Sequence, residues 1–369
     1  MHTAPQPLLA ARLIRLKHLI ALPVALVCSA GAVAQSSVTV FGIVDAAYSH
    51  GSGSLSMRNQ LSSGSNASSR VGFRGSEDLG GGMSASFWLE AQFNTDNGTG
   101  FATNTNNQAS GIGTAGAGTQ GLTFNRRSTV SLAGPWGELR LGRDYTGHYR
   151  NRVDTDPFSV VGVGATQVNV GTLAGQTSTR ASNAIGYFTP SRLGGFFAQA
   201  QYYLGENPSG TPTERDGSGF SLRAGYAAGP LTVSGAYAVT DMASGDVVST
   251  NVGAIYDAGP VRLMGAAFRD KTESPAAVTG KGYTLGAIVP VGAGEAKFAL
   301  SRYGSDAGAR PHTRKIAVGY VHNLSKRSAL YATYARVGNS GGATTALNGS
   351  TTAANERSTG YDLGIRHSF

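Results

Sequence analysis

The 369-residue sequence is short of the features on which soluble enzymes and helical membrane proteins depend. It has a single cysteine, Cys28, inside an N-terminal segment that reads as a removable export signal. The remaining chain is therefore without disulfides, thiol nucleophiles or cysteine-ligated metals. Past that segment no apolar run approaches the ~20 residues a transmembrane helix needs, and the mean hydropathy is −0.12. Charged residues make up 14%, well below the usual ~25%. No His/Cys group has the spacing of a zinc site. The basic residues are spread out, with no basic–aromatic patch of the kind that binds nucleic acid. No metal, cofactor or nucleic-acid partner is expected.

What the chain does carry begins with that export signal. Arg12, Arg15 and Lys17 form a basic start, Leu19 to Val27 an apolar stretch, and Ala32-Val33-Ala34 a small-residue cleavage motif. Residues 1–34 are read as a signal peptide and 35–369 as one domain. Removing the signal takes the formal charge from +9 to +6, because it holds three basic residues and no acid. Glycine is abundant, with 53 residues, about twice its ordinary ~7% share.

From Val38 the hydropathy pattern has period two. Val38, Val40, Gly42, Val44, Ala46 and Tyr48 share one face, with Thr39 and Asp45 on the other. Met83, Ala85, Phe87, Leu89, Ala91 and Phe93 alternate with Ser84, Ser86, Trp88, Glu90, Gln92 and Asn94. Such a segment is a strand with one apolar and one wet face. The same pattern predicts strands at 37–48, 67–76, 82–94, 122–134, 136–146, 181–190, 195–204, 219–228, 230–240, 248–257, 260–269, 281–290, 294–304, 313–323, 327–337 and 359–369, an even sixteen. The connections alternate between tight Gly/Pro turns and long polar loops at 49–66, 95–121, 147–180, 205–218, 241–247, 270–280, 305–312 and 338–358. Short turns on one rim and long loops on the other describe an all-β, antiparallel, up-and-down transmembrane barrel. Full closure also removes the edges that so many strands would otherwise expose.

One connection differs from the rest. From Tyr145 to Arg180 it is too long for an idle loop, and Phe158, Val160, Val161, Val163, Val168 and Val170 need a surface to lie against. Arg143, Arg150 and Arg152 open it, Asp154 and Asp156 follow, and Arg180 ends it. Other motifs lack the context their chemistry requires. Gly111-Ile112-Gly113-Thr114-Ala115-Gly116 fits G-x-G-x-x-G but follows no strand and opens no helix. Gly338-Asn339-Ser340-Gly341-Gly342 fits a nucleophile elbow without the helix, and the histidines are scattered. Asp154-Thr155-Asp156 has no calcium-loop continuation.

The stretches SRVGFRGSEDLGGGMSASFWLEAQFN, FNRRSTVSLAGPWGELRLGRDY, DPFS, NAIGYFTPSRLGGFFAQAQYYLGEN and the final GYDLGIRHSF resemble the Gram-negative general porins of the β-proteobacterial type. The likeness runs from about Ser36 to Phe369 and is strongest in the first seven strands and the last. The aromatic Phe369 closing an alternating strand resembles the signal that outer-membrane barrels present for insertion. The resemblance implies a sixteen-stranded homotrimeric barrel whose third long loop folds into the lumen, with loop acids facing arginines on the wall. By position the arginines are Arg70, Arg126 or Arg127, and Arg180, and the acids are Asp154 and Asp156. Regular alternation lets only one of the adjacent Arg126 and Arg127 point inward, and which aspartate faces the lumen is open.

Arginine keeps its charge and offers a fixed fork of donors. Rings of Arg or Lys in a narrow wet channel favour anions, and rings of Asp or Glu favour cations. The expectation is a non-enzymatic, passive outer-membrane channel for small hydrophilic solutes, preferring anions, surrounded by outer-membrane lipid and lipopolysaccharide. The alternative is a substrate-specific channel of the same fold.

Overall fold

Strict alternation is what a chain needs when one face of its sheet meets lipid and the other meets water, and the structure follows it. The computed structural model describes residues 37–104, 106–108, 121–167, 173, 179–273 and 276–369. The expected signal peptide with Cys28, the Gly111–Gly116 run, and Val168 and Val170 lie outside these residues.

The described strands are β1 (Ser37–Ser52), β2 (Met57–Ser63), β3 (Arg70–Gly80), β4 (Met83–Gln92), β5 (Arg127–Gly134), β6 (Gly137–Tyr145), β7 (Arg180–Phe188), β8 (Phe196–Tyr203), β9 (Gly219–Ala228), β10 (Leu231–Thr240), β11 (Val247–Asp257), β12 (Arg262–Thr272), β13 (Val278–Val291), β14 (Gly294–Ser305), β15 (His312–Asn323), β16 (Ser328–Ser340) and β17 (Ser358–Ser368). All pairings are antiparallel between neighbours, and β1 closes the barrel on β17, Ile43 opposite Ser368 and Ser52 opposite Thr359. β2 and β3 both pair with β1, Met57–Ser63 along Ser52–Ala46 and Arg70–Ser76 along Ile43–Ser37. They are two halves of one stave, split by residues 64–69. The barrel therefore has the sixteen staves that alternation predicts.

The first predicted loop, 49–66, is the main departure. β1 continues to Ser52, and 57–63 is strand rather than loop. Its polar run pairs across the hairpin, Ser49 with Ser62 at 2.5 Å and His50 Nδ1 with Asn59 Oδ1 at 2.6 Å. Above the lipid a strand needs no apolar face, so its composition resembles that of a loop.

Side chains sort by parity. On β15, Ile316, Val318 and Tyr320 are exposed while Thr313, Lys315, Ala317 and Val321 are buried inside. Outward aromatics gather near the two rims: Trp136, Tyr187, Phe196, Tyr226, Tyr256 and Tyr320 toward the short turns, and Tyr48, Tyr202, Phe220, Tyr237 and Tyr334 toward the long loops. This is how the two membrane interfaces are anchored. At the closure, the Phe369 N–H donates to the Gly42 carbonyl at 3.1 Å and the Gly42 N–H donates back at 3.1 Å. The Phe369 ring lies where a Cβ on Gly42 would come within 2.3 Å of it, so only glycine fits there.

Candidate functional site

The described residues Thr146 to Gln167 of the connection after β6 turn into the barrel. Its first part is a helix, α1 (Gly147–Asp154), capped by Thr146, whose hydroxyl accepts from the Tyr149 N–H at 3.1 Å. Polar wall residues seat it. The Gly147 N–H donates to Gln201 at 3.1 Å, the His148 N–H to Ser221 at 3.1 Å, and Asn151 Nδ2 to Asn251 Oδ1 at 2.6 Å. Arg152 donates through one nitrogen to both oxygens of Asp270 at 2.9 and 3.1 Å, and both side chains are buried. Breaking such a buried pair costs about 3–5 kcal/mol.

Beyond α1 the chain crosses to the opposite wall. Phe158 and Val163 pack on Ala299, Ala317, Ala335 and Val337, small residues that leave room for them on β14, β15 and β16. The Val163 N–H donates to Asp362 at 2.8 Å, the Gln167 N–H to Ser301 at 2.7 Å, and Lys315 Nζ to the Ala165 carbonyl at 2.5 Å. Gly162, at φ 64°, lies so close to the 64–69 segment that a Cβ there would sit 2.0 Å from the Ser65 carbonyl oxygen. Phe158 and Val163 thus find the surface that their apolarity demands, whereas Val160 and Val161 line the cavity that the loop leaves open.

The loop covers the β8–β17 side and leaves open a cavity of about 820 Å³ against β3 to β7. Nine basic side chains line it, against two acids, Glu90 and Asp144. Arg70, Arg126 and Arg180 form a connected row. The Arg126 Nε donates to Glu90 Oε1, Nη1 donates to Gln92 at 3.0 Å, and Nη2 to the Tyr145 hydroxyl oxygen at 2.8 Å. Arg180 Nη2 donates to that same oxygen at 2.8 Å, and its guanidinium lies 4.4 Å from the Tyr145 ring centre. Arg70 Nε is 3.5 Å from Glu90. Beside the row, Arg127 stacks over Trp88 at 4.7 Å, donates to Thr129 at 3.0 Å and lies 3.7 Å from Asp144. Tyr149, Arg150, Val153, Val160 and Val161 face this wall from the loop.

All four expected arginines line the cavity, and both members of the Arg126–Arg127 pair do so. Regular strand geometry starts only at Arg127, which faces inward opposite Glu90. Arg126 precedes it, so alternation does not bind it. The expected acids do not face the arginine row. Asp154 is taken up by Arg223 at 2.6 Å and, one helical turn back, by Arg150 at 3.2 Å. Asp156 is buried within the loop, accepting from the Phe158 N–H at 2.8 Å and the Thr166 N–H at 3.0 Å. Burial pushes its carboxyl above the ordinary aspartate range. Its task is to hold the loop's turn. The negative charge in the row comes from Glu90 on the wall.

Glu90, Tyr145, Arg140 and Arg223 line the site without having been expected there, as does Arg150, which the sequence marked only as part of the start of the long connection. The signal for three of them was their parity: Glu90, Arg140 and Arg223 alternate with outward apolar residues on β4, β6 and β9. The Gly338–Gly342 motif ends β16 and enters a turn, with no following helix.

Comparison with known proteins agrees with this geometry. A profile described as Gram-negative porin matches residues 21–342. Outer membrane porin protein 32 of Delftia acidovorans is 36% identical over 372 residues, covering 96% of this chain and 99% of that one. A solved anion-selective porin from Comamonas acidovorans superposes with a TM-score of 0.78 at 35% identity, covering 91% of this chain and all of the other. OmpT of Vibrio cholerae, solved in a trimer form, shares the fold at 14% identity with a TM-score of 0.64, covering 90% of this chain and 99% of its own. The closed sixteen-stave barrel, the loop laid across its lumen and these matches together establish that the chain belongs to the Gram-negative porin family and is a passive channel for small hydrophilic solutes across the bacterial outer membrane.

Proposed function

We propose that the channel prefers anions and that Arg70, Arg126 and Arg180 form its selective row. The observation that carries this is the loop surface opposite them. It offers Tyr149, Arg150, Val153, Val160 and Val161, while Asp154 is neutralised between Arg150 and Arg223 and Asp156 is held by the loop's own backbone. An ion crossing the gap meets fixed cations on one side and no carboxylate on the other, and Arg rings favour anions. The Comamonas acidovorans relative, described as anion-selective, supports the same reading. Single-channel conductance in salts of one cation with anions of increasing size should fall with anion size, and changing the cation should matter less. The reverse order would overturn the assignment.

Three further readings accompany it. Residues 1–34 act as an export signal cleaved after Ala34, supported by the basic, apolar and small-residue order of that stretch; N-terminal sequencing of the mature protein tests it, with Gln35 expected first. The protein works as a homotrimer. Leu55, Met57 and Leu61, at 69%, 73% and 66% exposure, lie together at the tip of the first hairpin as an apolar patch suited to a second copy. Finally, the protein catalyses no reaction, since flux down a gradient needs no nucleophile, base or metal.

A further inference from the structure

Inward positions on a porin wall are polar, and aromatic side chains belong to the outer girdles. Phe41, Trp88 and Phe188 depart from that rule. They share the inward parity of Asp45, Glu90 and Gly186 on β1, β4 and β7, and Trp88 and Phe188 line the cavity. All three are half-buried, so they are not packed away as core. The Phe41 ring lies over Gly72 of the neighbouring β3, where a Cβ would come within 2.4 Å of it. It meets Trp88 edge to face, with ring centres 5.0 Å apart.

Each ring carries a guanidinium. Arg74, directly across from Trp88 in the β3–β4 pair, lies 5.1 Å from the Trp88 ring centre and 5.2 Å from that of Phe41. Arg127 lies 4.7 Å from Trp88, and Arg140 3.9 Å from Phe188. Their neutralisation is uneven. Arg140 is held by Glu138 at 2.8 Å and Asp144 at 2.5 Å. Arg127 engages Thr129 at 3.0 Å and, at 3.7 Å, the same Asp144, through Nε alone. Among the described residues the Arg74 guanidinium forms no ion pair or side-chain hydrogen bond and contacts the two rings. Arg74 follows Arg70 on β3 by about 13 Å toward the short turns, so this cluster stands apart from the selective row.

We propose that Arg74, Trp88 and Arg127 form a transit site for aromatic carboxylates, the carboxylate taken by the two arginines and the ring stacked on their guanidinium planes against Trp88. The site rests on the anion-preferring reading of the pore and adds a substrate class to it. A guanidinium is planar, weakly hydrated and stacks on aromatic faces, so a flat anion extends a stack that the wall has begun. A small inorganic anion would meet the charges and leave the rings unused. An uncharged arene would meet the rings and leave two incompletely neutralised arginines without a counter-ion. If the rings served only to prop the arginines, the site would take any carboxylate of the same size equally well.

Block of the chloride current through single channels in a planar bilayer tests this, with benzoate and cyclohexanecarboxylate added in turn on the short-turn side. The two acids share charge and ring size, and only benzoate is flat and aromatic. Half-block should come at a roughly tenfold lower concentration of benzoate. In Trp88→Leu that ratio should fall toward one, in Trp88→Phe most of it should remain, and Arg74→Gln should weaken block by both acids. Each ratio is taken within one channel, so a change in conductance does not enter it. If Trp88→Leu does not fold, Phe41→Leu is measured in its place, with a smaller fall expected. Equal half-block by the two acids in the parent overturns the proposal, as does an undiminished ratio in the leucine variant. The zero-current potential of the same channels separates the two readings. A potential of the sign set by potassium overturns the anion-preferring pore on which the site rests, whereas the chloride sign with equal half-block overturns the site alone.

Discussion

Arg126 and Arg180 donate to one and the same atom, the Tyr145 hydroxyl oxygen, each at 2.8 Å. Two cations from separate segments are thereby held side by side against their mutual repulsion. Hydrogen bonds from charged donors contribute about 1.5–3 kcal/mol, so this phenol fixes the spacing of the row. Tyr145→Phe should keep the ring under Arg180, remove the acceptor that Arg126 and Arg180 share while Arg126 stays on Glu90 and Gln92, and raise open-channel current noise, with anion preference retained. Arg180→Glu should do more. A unit charge near an ion in water contributes about 1 kcal/mol at ~4 Å, so reversing one charge should lower the chloride-to-potassium permeability ratio by roughly tenfold or more. An unchanged ratio in bi-ionic recordings would remove Arg180 from the selective row.

Glu90 is the counter-charge of that row, touching Arg126 and lying 3.5 Å from Arg70. Glu90→Gln should increase anion preference, because the row loses its one carboxylate. It should also destabilise the wall locally by about 3–5 kcal/mol, since Arg126 is buried and left short of a partner. Permeability ratios and thermal unfolding of the same variant would record both effects, and a fall in anion preference would contradict the assignment.

The two loop aspartates should behave differently. Asp154→Asn frees Arg223 and leaves the loop seated, so anion preference should rise slightly at similar conductance. Asp156→Ala strips the buried Phe158 and Thr166 N–H groups of their acceptor, at about 1–3 kcal/mol for each. Conductance and current noise should both increase as the loop lifts from the wall. Phe158→Ala, which leaves a cavity costing about 3–5 kcal/mol, should give the same result.

Alkaline pH offers a separate handle on the loop. Burial of Tyr149, reinforced by neighbouring Tyr145, pushes its phenol up to about 12 from the ordinary 10. Between those values the unfolded chain releases the proton and the folded one keeps it, so stability falls as pH rises through that window. Two pKa units correspond to about 2–3 kcal/mol. Denaturant titrations at pH 9 and pH 12 should show this loss in the parent and a smaller loss in Tyr149→Phe; equal losses would exclude the assignment.

The barrel was legible because lipid on one side and water on the other impose a period of two, as in the outward series Met83, Phe87 on β4 and Ile316, Val318, Tyr320 on β15. The β2 half-stave escaped because Met57–Ser63 rises beyond the lipid, where pairing Ser49 with Ser62 needs no apolar partner. The arginines were legible for a related reason: a charge on a barrel strand has nowhere to go but the lumen or the rim. Their partners were not. Whether Asp156 turns to the pore or to its own backbone depends on the loop's path, which is set by contacts as distant as Val163 to Asp362. Sequence spacing carries no record of such contacts.

The central claim, that the arginine row makes the pore anion-preferring, is tested most directly by the zero-current potential of single channels in a planar bilayer under a potassium chloride gradient. The potential should take the sign set by chloride and move toward zero in Arg180→Glu. A potential of the sign set by potassium in the parent protein would contradict the account.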